Sequence, residues 1–333
     1  MSESWRRRLF MVGISLGLGL FFYQIWLAVQ AWGTLSAGLA VQLPYLFYGM
    51  LCALAAYGLQ IAVWTFIMRQ LGVPLQIVDA VRGYTLSFLP RYIPGSVWGY
   101  WGRSHWLSQA YGTPYRVSLL GSVYEAGYLV VSAFMVGLGY LGTHLEVVDL
   151  RFGHPLLWIA GLFVALLVAS ILFWICSPAV FGNYFMRKQG RSAVSPASVF
   201  PGRLQDWIAV IVVLGLYLVM WVLHGWAIQF IGGIFVRSGL DGNAWGIIAA
   251  TALAWAAGFL VLLVPSGLGV RELSLVVLLQ RLGLVDTNLA LLMATLSRVF
   301  LLASELIWVL LSFAFTFAHQ FRVRRGSNLP GKT

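Results

Sequence analysis

Apolar residues run along this chain in long blocks, with little of the regular apolar/polar alternation expected of elements that face water on one side. Four blocks carry no charged residue and are long enough to cross a bilayer: Leu9 to Val29, Pro44 to Met68, Leu156 to Cys176 and Asn243 to Pro265. A run of about 18 or more apolar residues can satisfy its backbone in hydrocarbon only as a helix, because no water is there to bond a free N–H or C=O. Three further blocks are long enough to span but hold ionisable residues: Val117 to Gly142 with Glu125, Ile208 to Val236 with His224, and Asn288 to Phe317 with Arg298 and Glu305. The pattern predicts an all-α, polytopic membrane helix bundle.

Two places interrupt this pattern. The first is Leu89-Pro90-Arg91-Tyr92-Ile93-Pro94-Gly95-Ser96-Val97-Trp98-Gly99, and the second is Val264-Pro265-Ser266-Gly267-Leu268-Gly269-Val270-Arg271-Glu272. Setting Pro94 on Pro265 also sets Leu107 on Leu278, Gln109 on Gln280 and Gly112 on Gly283, and a gap of two residues then sets Glu125 on Arg298. The segment Asp79 to Leu89 would make only about 16 Å of helix at 1.5 Å per residue, half a bilayer. A re-entrant hairpin from the cytoplasmic side follows, with its tip lining a polar cavity. The second half would repeat it from outside, with a descending arm 246 to 264, a turn at Pro265 to Gly269 and a returning arm 271 to 283. That descending arm is long enough to cross, so segments 79–107 and 246–283 read either as hairpins or as pairs of spans. The expected architecture is therefore two inverted-topology repeats, about 44–176 and 206–320, each with a Pro/Gly-broken re-entrant hairpin. They are joined by a cytoplasmic loop at 177–205 within a single transmembrane unit, 1–333. Such paired interruptions point to a transport site at the midplane.

Composition agrees: of 333 residues 60% are hydrophobic and 9% charged, against roughly a quarter charged in a soluble domain. The net charge of +11 follows topology and does not imply a nucleic-acid partner. Arg6, Arg7 and Arg8 precede the first block, and Arg322, Arg324, Arg325 and Lys332 follow the last. The segment 69–116 holds Arg69, Arg82, Arg91, Arg103 and Arg116, and the loop holds Arg187, Lys188, Arg191 and Arg203. The connection 31–43 has no Lys or Arg, and 143–154 and 237–242 carry one each. The positive-inside rule places both termini in the cytoplasm of a multi-pass protein of the cell membrane, plasma or inner. The basic, apolar start resembles a signal peptide, but its core is too long and lacks a cleavage site, so it reads as an uncleaved first helix. Cys52 and Cys176 fall within apolar blocks as packing residues.

Charges near the bilayer centre cost at least about 2.5 to 3.5 kcal/mol each and persist where they have a use. Arg271 and Glu272 follow the second break, while Arg91 and Arg103 flank the first. Arginines beside free helical amides suit a phosphate, to which a guanidinium donates two parallel hydrogen bonds. The substrate-binding candidates are Arg91, Pro94, Gly95, Arg103, Gly267, Gly269, Arg271 and Glu272. Arg91 and Arg103 also read as interfacial anchors of topology. Glu125 shares a helix face with Ser118, Ser122 and Ser132, and Arg298 and Glu305 share one with Thr295. Glu125, Arg298 and Glu305 are therefore candidates for lining a cavity or coupling a proton, while Glu125 and Arg298 also read as a mutual ion pair. His224 reads as a hydrogen-bonded core histidine. Trp98, Tyr100, Trp101 and Trp106 are candidates for a lipid-tail groove, although most of the 15 Trp fit interfacial belts.

Enzyme signatures are weak. Gly13-Ile14-Ser15-Leu16-Gly17 has the G-x-S-x-G spacing but starts a helix, and Gly137-Leu138-Gly139-Tyr140-Leu141-Gly142 has no preceding strand and reads as small residues packing helices. No nucleotide loop, metal motif or activated nucleophile is present, so no cofactor, no metal and no catalytic residue is expected.

With these residues in view, the chain resembles the transmembrane flippase domain of lysylphosphatidylglycerol synthases (multiple peptide resistance factors). The resemblance rests on Tyr92-Ile93-Pro94-Gly95-Ser96-Val97-Trp98 with Arg103 downstream, and on Pro265-Ser266-Gly267-Leu268-Gly269-Val270-Arg271-Glu272. It spans nearly the whole chain from about the second helix. It implies a lipid translocator that moves a phosphate-bearing amphiphile between leaflets. The synthases continue into a soluble aminoacyl-transfer domain where this sequence ends at Thr333, so no synthase activity is expected.

The leading expectation is a flippase-like transporter for a phospholipid or a polyprenyl-phosphate-linked sugar, with the head group near Arg271 and Arg91 and no nucleotide as energy source. The alternative is a non-catalytic partner that docks a cytoplasmic glycosyltransferase or lipid-modifying enzyme through the 177–205 loop. An intramembrane lipid enzyme using Glu125 or His224 is the third class.

Overall fold

The computed structural model describes residues 3–35, 42–88, 90–92, 98–143, 204–236, 244–261 and 264–327. The Leu156 to Cys176 span, Pro94 and Gly95, and all but the last two residues of the 177–205 loop lie outside the described residues. Among those described, every regular element is helical: α1 (Glu3–Leu35), α2 (Leu43–Gln70), α3 (Ile77–Thr85), a 3-10 turn at Pro90–Tyr92, α4 (Trp98–Tyr111) and α5 (Tyr115–Thr143). Then come α6 (Leu204–Gly233), α7 (Ala244–Leu260), a second 3-10 turn at Pro265–Gly267, α8 (Val270–Arg281) and α9 (Thr287–Ser327).

Local chemistry sets the helix ends. Pro44 occupies the first turn of α2, where a missing N–H costs nothing. Asp286 precedes α9 and its carboxylate accepts the Leu289 N–H at 3.0 Å, satisfying one of the amides that a helix start leaves open. The Asn243 to Pro265 block is not one continuous helix: α7 stops at Leu260 after 17 residues, about 26 Å at 1.5 Å per residue. Pro265 keeps the helix from running on through Val264. A residue before proline is driven out of the helical region, and Val264 is extended at φ −96°, ψ 124°. The descending arm is thus shorter than the run of apolar residues that encodes it. Similarly, α3 begins at Ile77 and ends at Thr85, so the half-bilayer helix expected over Asp79 to Leu89 is displaced toward the N-terminus and its last residues form turns.

Four helical stretches are long and apolar enough to cross a membrane: Leu43–Gln70, Tyr115–Thr143, Ile208–Gly233 and Thr287–Phe317. Their outward faces fit that medium. On α9, Leu306, Leu310, Phe313 and Phe317 are all more than half exposed, and their spacing of four, three and four draws one stripe along the helix. A soluble monomer rarely leaves such a surface open. Inside, by contrast, sit Gln60, Arg103, Glu125, Glu272, Arg298 and Glu305, each less than one-tenth exposed. The chain is a membrane-embedded helical protein with apolar residues on its outward faces and these polar and charged side chains within.

The helices pack mainly as α2 on α6, with α7 held between α5, α6 and α8, and α1 laid against α8, α9 and the second turn. One apolar core gathers Trp64, Met68, Phe134, Tyr217 and Trp221. The other gathers Ile231, Ile247, Leu279, Ala290 and Met293. Close approach relies on small residues: Gly137 of the G-x-G-x-x-G stretch packs on the Leu253 side chain, which is the packing reading of that motif. The two 3-10 turns, far apart in sequence, contact each other.

Candidate functional site

Where those turns meet, the helices leave a cavity of about 970 Å³ counted to its open mouth. Arg91, Arg103, Arg271 and Arg298 line it, together with Glu125 and Glu305. Each arginine arrives differently. Arg91 rides on the first turn, Arg103 on α4, Arg271 on the first turn of α8 and Arg298 on α9.

Arg103 is the most enclosed, at 1% exposure. Its Nη2 pairs with Glu125 Oε2 and donates to Ser122 Oγ at 2.9 Å. The guanidinium lies 4.5 Å from the centre of the Trp64 ring and 4.9 Å from that of Tyr84, a cation–π setting. The Tyr84 hydroxyl donates to Glu125 Oε1 at 2.6 Å. The Arg103 charge is thus enclosed by protein on all sides rather than exposed on the outer surface.

Arg298 Nη1 stands 3.3 Å from Glu272 Oε1. The other oxygen of Glu272 accepts the Gly269 N–H at 2.6 Å, closing the start of α8. This amide, which the sequence offered to an anion, is thus taken by the helix's own carboxylate. Gly267 lines the cavity, whereas Gly269 packs on Leu20 of α1 and Glu272 lies behind Arg298.

Arg91 Nη2 lies 2.6 Å from Glu305 Oε1. The same carboxylate accepts from Tyr57 at 2.8 Å and from Tyr92 at 3.1 Å. This pair is the more open one, with the Arg91 side chain 30% exposed.

The structure therefore corrects the Glu125–Arg298 pairing: Glu125 is taken by Arg103 and Arg298 by Glu272. Helix-adjacent partners win because α4 packs on α5 and α8 on α9. Three carboxylates thus match three of the four arginines. Arg271 is left over, with no carboxylate in ion-pair contact among the described residues. In addition Arg91 Nε, Arg103 Nε and Arg298 Nη2 are buried donors without a hydrogen-bond acceptor, a costly state unless something occupies the cavity.

The second turn is built for backbone proximity. Gly267 has φ +65° and a Cβ there would meet the Gly258 carbonyl oxygen at 2.8 Å; one on Gly258 would meet Arg271 Cβ at 2.8 Å. Only glycine at both positions lets α7 and α8 converge and bring Arg271 to the cavity. Apolar lining comes from Leu129, Trp255, Phe259 and Leu301, with the rings of Trp255 and Phe259 stacked 5.0 Å apart. Of the aromatic cluster read from the sequence, Tyr100 lines the cavity, Trp98 and Trp101 face outward, and Trp106 packs on Gly83. His224 lines the cavity, with Nδ1 3.3 Å from the Met220 carbonyl. Ser118, Ser122 and Ser132 are buried on α5 as their spacing implied. Tyr57, Gln60 and Tyr84 escaped sequence reasoning, although for Tyr57 and Gln60 a polar tip inside a spanning helix was the available signal. Among the described residues no group of three His, Cys, Asp or Glu is placed to hold a metal ion.

No protein-family model, curated protein or solved structure matches the chain. The arrangement itself carries the functional argument: a cavity with both apolar and polar lining, four arginines and one positive charge unmatched among the described residues. It can hold an anion joined to an apolar tail.

Proposed function

We propose that the protein is a flippase-like transporter that moves a phosphate-bearing amphiphile, a phospholipid or a polyprenyl-phosphate-linked sugar, between the leaflets of the cell membrane. The observation that carries the reading is Arg271: a cavity-lining guanidinium with no carboxylate partner among the described residues, beside buried arginine donors that lack acceptors. A phosphate supplies the missing charge and the missing acceptors together. The Trp255–Phe259 wall suits the first part of the tail.

The element order supports two inverted repeats: a long helix, a shorter one, a 3-10 turn, a short helix and a long helix occur in Leu43–Thr143 and again in Leu204–Ser327. The internal ion pairs follow the same order with charges exchanged, Arg103 to Glu125 in the first half and Glu272 to Arg298 in the second. Arg91–Glu305 joins the halves, so it is the contact to break if the halves alternate around the bound head group. Both ends of the chain then face the cytoplasm.

Purified protein in vesicles, assayed for leaflet exchange of labelled phosphate lipids, tests the proposal. Exchange well above protein-free vesicles, reduced at least ten-fold by Arg271→Gln, is expected. No acceleration for any phosphate lipid by folded protein would sink it.

A further inference from the structure

Resting on that reading, the charges around the cavity go further and name the class of head group. We infer that the site is matched to a phosphodiester monoanion and that Glu305 is the specificity-determining residue that excludes phosphomonoester and diphosphate dianions.

Four arginines face the cavity, and Glu125, Glu272 and Glu305 are the three carboxylates paired with them. The set carries one positive charge more than its carboxylates cancel. In a water-poor interior an ion is stable only where its charge is matched nearby. One negative charge completes the set, and a second would be left without a counter-charge.

The three carboxylates are not equivalent. Glu125 and Glu272 are each 1% exposed and lie in pairs whose arginines are at most 4% exposed; each is also fixed by a further donor, Tyr84 or the Gly269 amide. Glu305, itself 9% exposed, instead pairs with Arg91, the most exposed of the paired arginines at 30%. Glu305 lines the cavity, whereas Glu272 does not, so an anion bound at Arg271 meets Glu305 as the most exposed of the three carboxylates. A diester coexists with it, whereas a dianion must displace it from Arg91. Neutralising Glu305 leaves two positive charges unmatched and removes the repulsion, so the preference should move toward dianions. Tyr57 and Tyr92 both donate to this carboxylate, and an amide oxygen at the same position accepts from them too, so Glu305→Gln keeps the local contacts.

The test is leaflet exchange at pH 8 in vesicles containing wild-type protein, with three labelled lipids of identical chains. These are a phosphatidylglycerol (one negative charge), a phosphatidic acid, whose monoester is largely dianionic above its second pKa of about 6, and a zwitterionic phosphatidylcholine. Wild type should move the phosphatidylglycerol at least ten-fold faster than either of the others. Glu305→Gln should narrow the diester-to-monoester ratio at least ten-fold, while Glu305→Asp keeps it. Equal wild-type rates for diester and monoester overturn the inference whether or not the variants fold, as does an unchanged ratio in folded Glu305→Gln. Failure to move any phosphate lipid sinks the transport reading instead, and exchange of all phosphate lipids without charge preference sinks this one alone.

Discussion

Arg103 and Arg271 show how differently two arginines of one cavity are held. Removing the Arg103 side chain leaves Glu125 buried without its counter-ion, and breaking a buried pair from one side costs about 3–5 kcal/mol. Arg103→Ala should therefore lower the melting temperature in detergent sharply. Arg103→Leu combined with Glu125→Leu should be less destabilised than either single change, since an apolar pair leaves no orphaned charge. Arg271→Gln strands no carboxylate among the described residues, so its stability should stay within about 1 kcal/mol of wild type while lipid exchange falls. The sequence picked out every one of these charges, because an ionisable group in an apolar run is conspicuous. It did not pair them: three carboxylates and four arginines allow many matches, and the repeat alignment favoured Glu125 with Arg298, whereas packing between neighbouring helices gives each half its own pair.

At the level of elements, the convergence of α7 and α8 on Gly258 and Gly267 brings Arg271 to the cavity. Gly258→Ala puts a methyl group against Arg271 Cβ and should cost about 1–3 kcal/mol, as overpacking does. Gly127→Ala on α5 meets nothing within 4 Å and should be neutral or gain up to about 1 kcal/mol from helix propensity; thermal melting of the two variants makes the comparison. Helix existence was legible from the apolar blocks, and so were the interruptions at Pro90 and Pro265. Helix length was less so. The Asn243 to Pro265 block reads as one span, yet proline acts on the residues before it and α7 ends at Leu260. A count of apolar residues does not register that effect.

For the whole molecule, the polar cavity inside an apolar-faced bundle makes an accessibility prediction. With Cys52 and Cys176 replaced by Ala, a Ser266→Cys variant should react with a small water-soluble thiol reagent, because Ser266 lines the open cavity. An Ala294→Cys variant should not, since Ala294 is fully buried. Equal labelling of both would argue against an open cavity at the second turn. Sequence by itself determined the solvent this protein lives in, the order of its helices and the two places where they break, because hydropathy and proline act locally and leave their mark on the residues that carry them. Only the tertiary structure decided that the two breaks touch, which carboxylate holds which arginine, and that Arg271 is left without one among the described residues. Those are outcomes of long-range packing, in which residues distant along the chain compete for the same partner and geometry chooses among pairings that charge alone leaves equivalent.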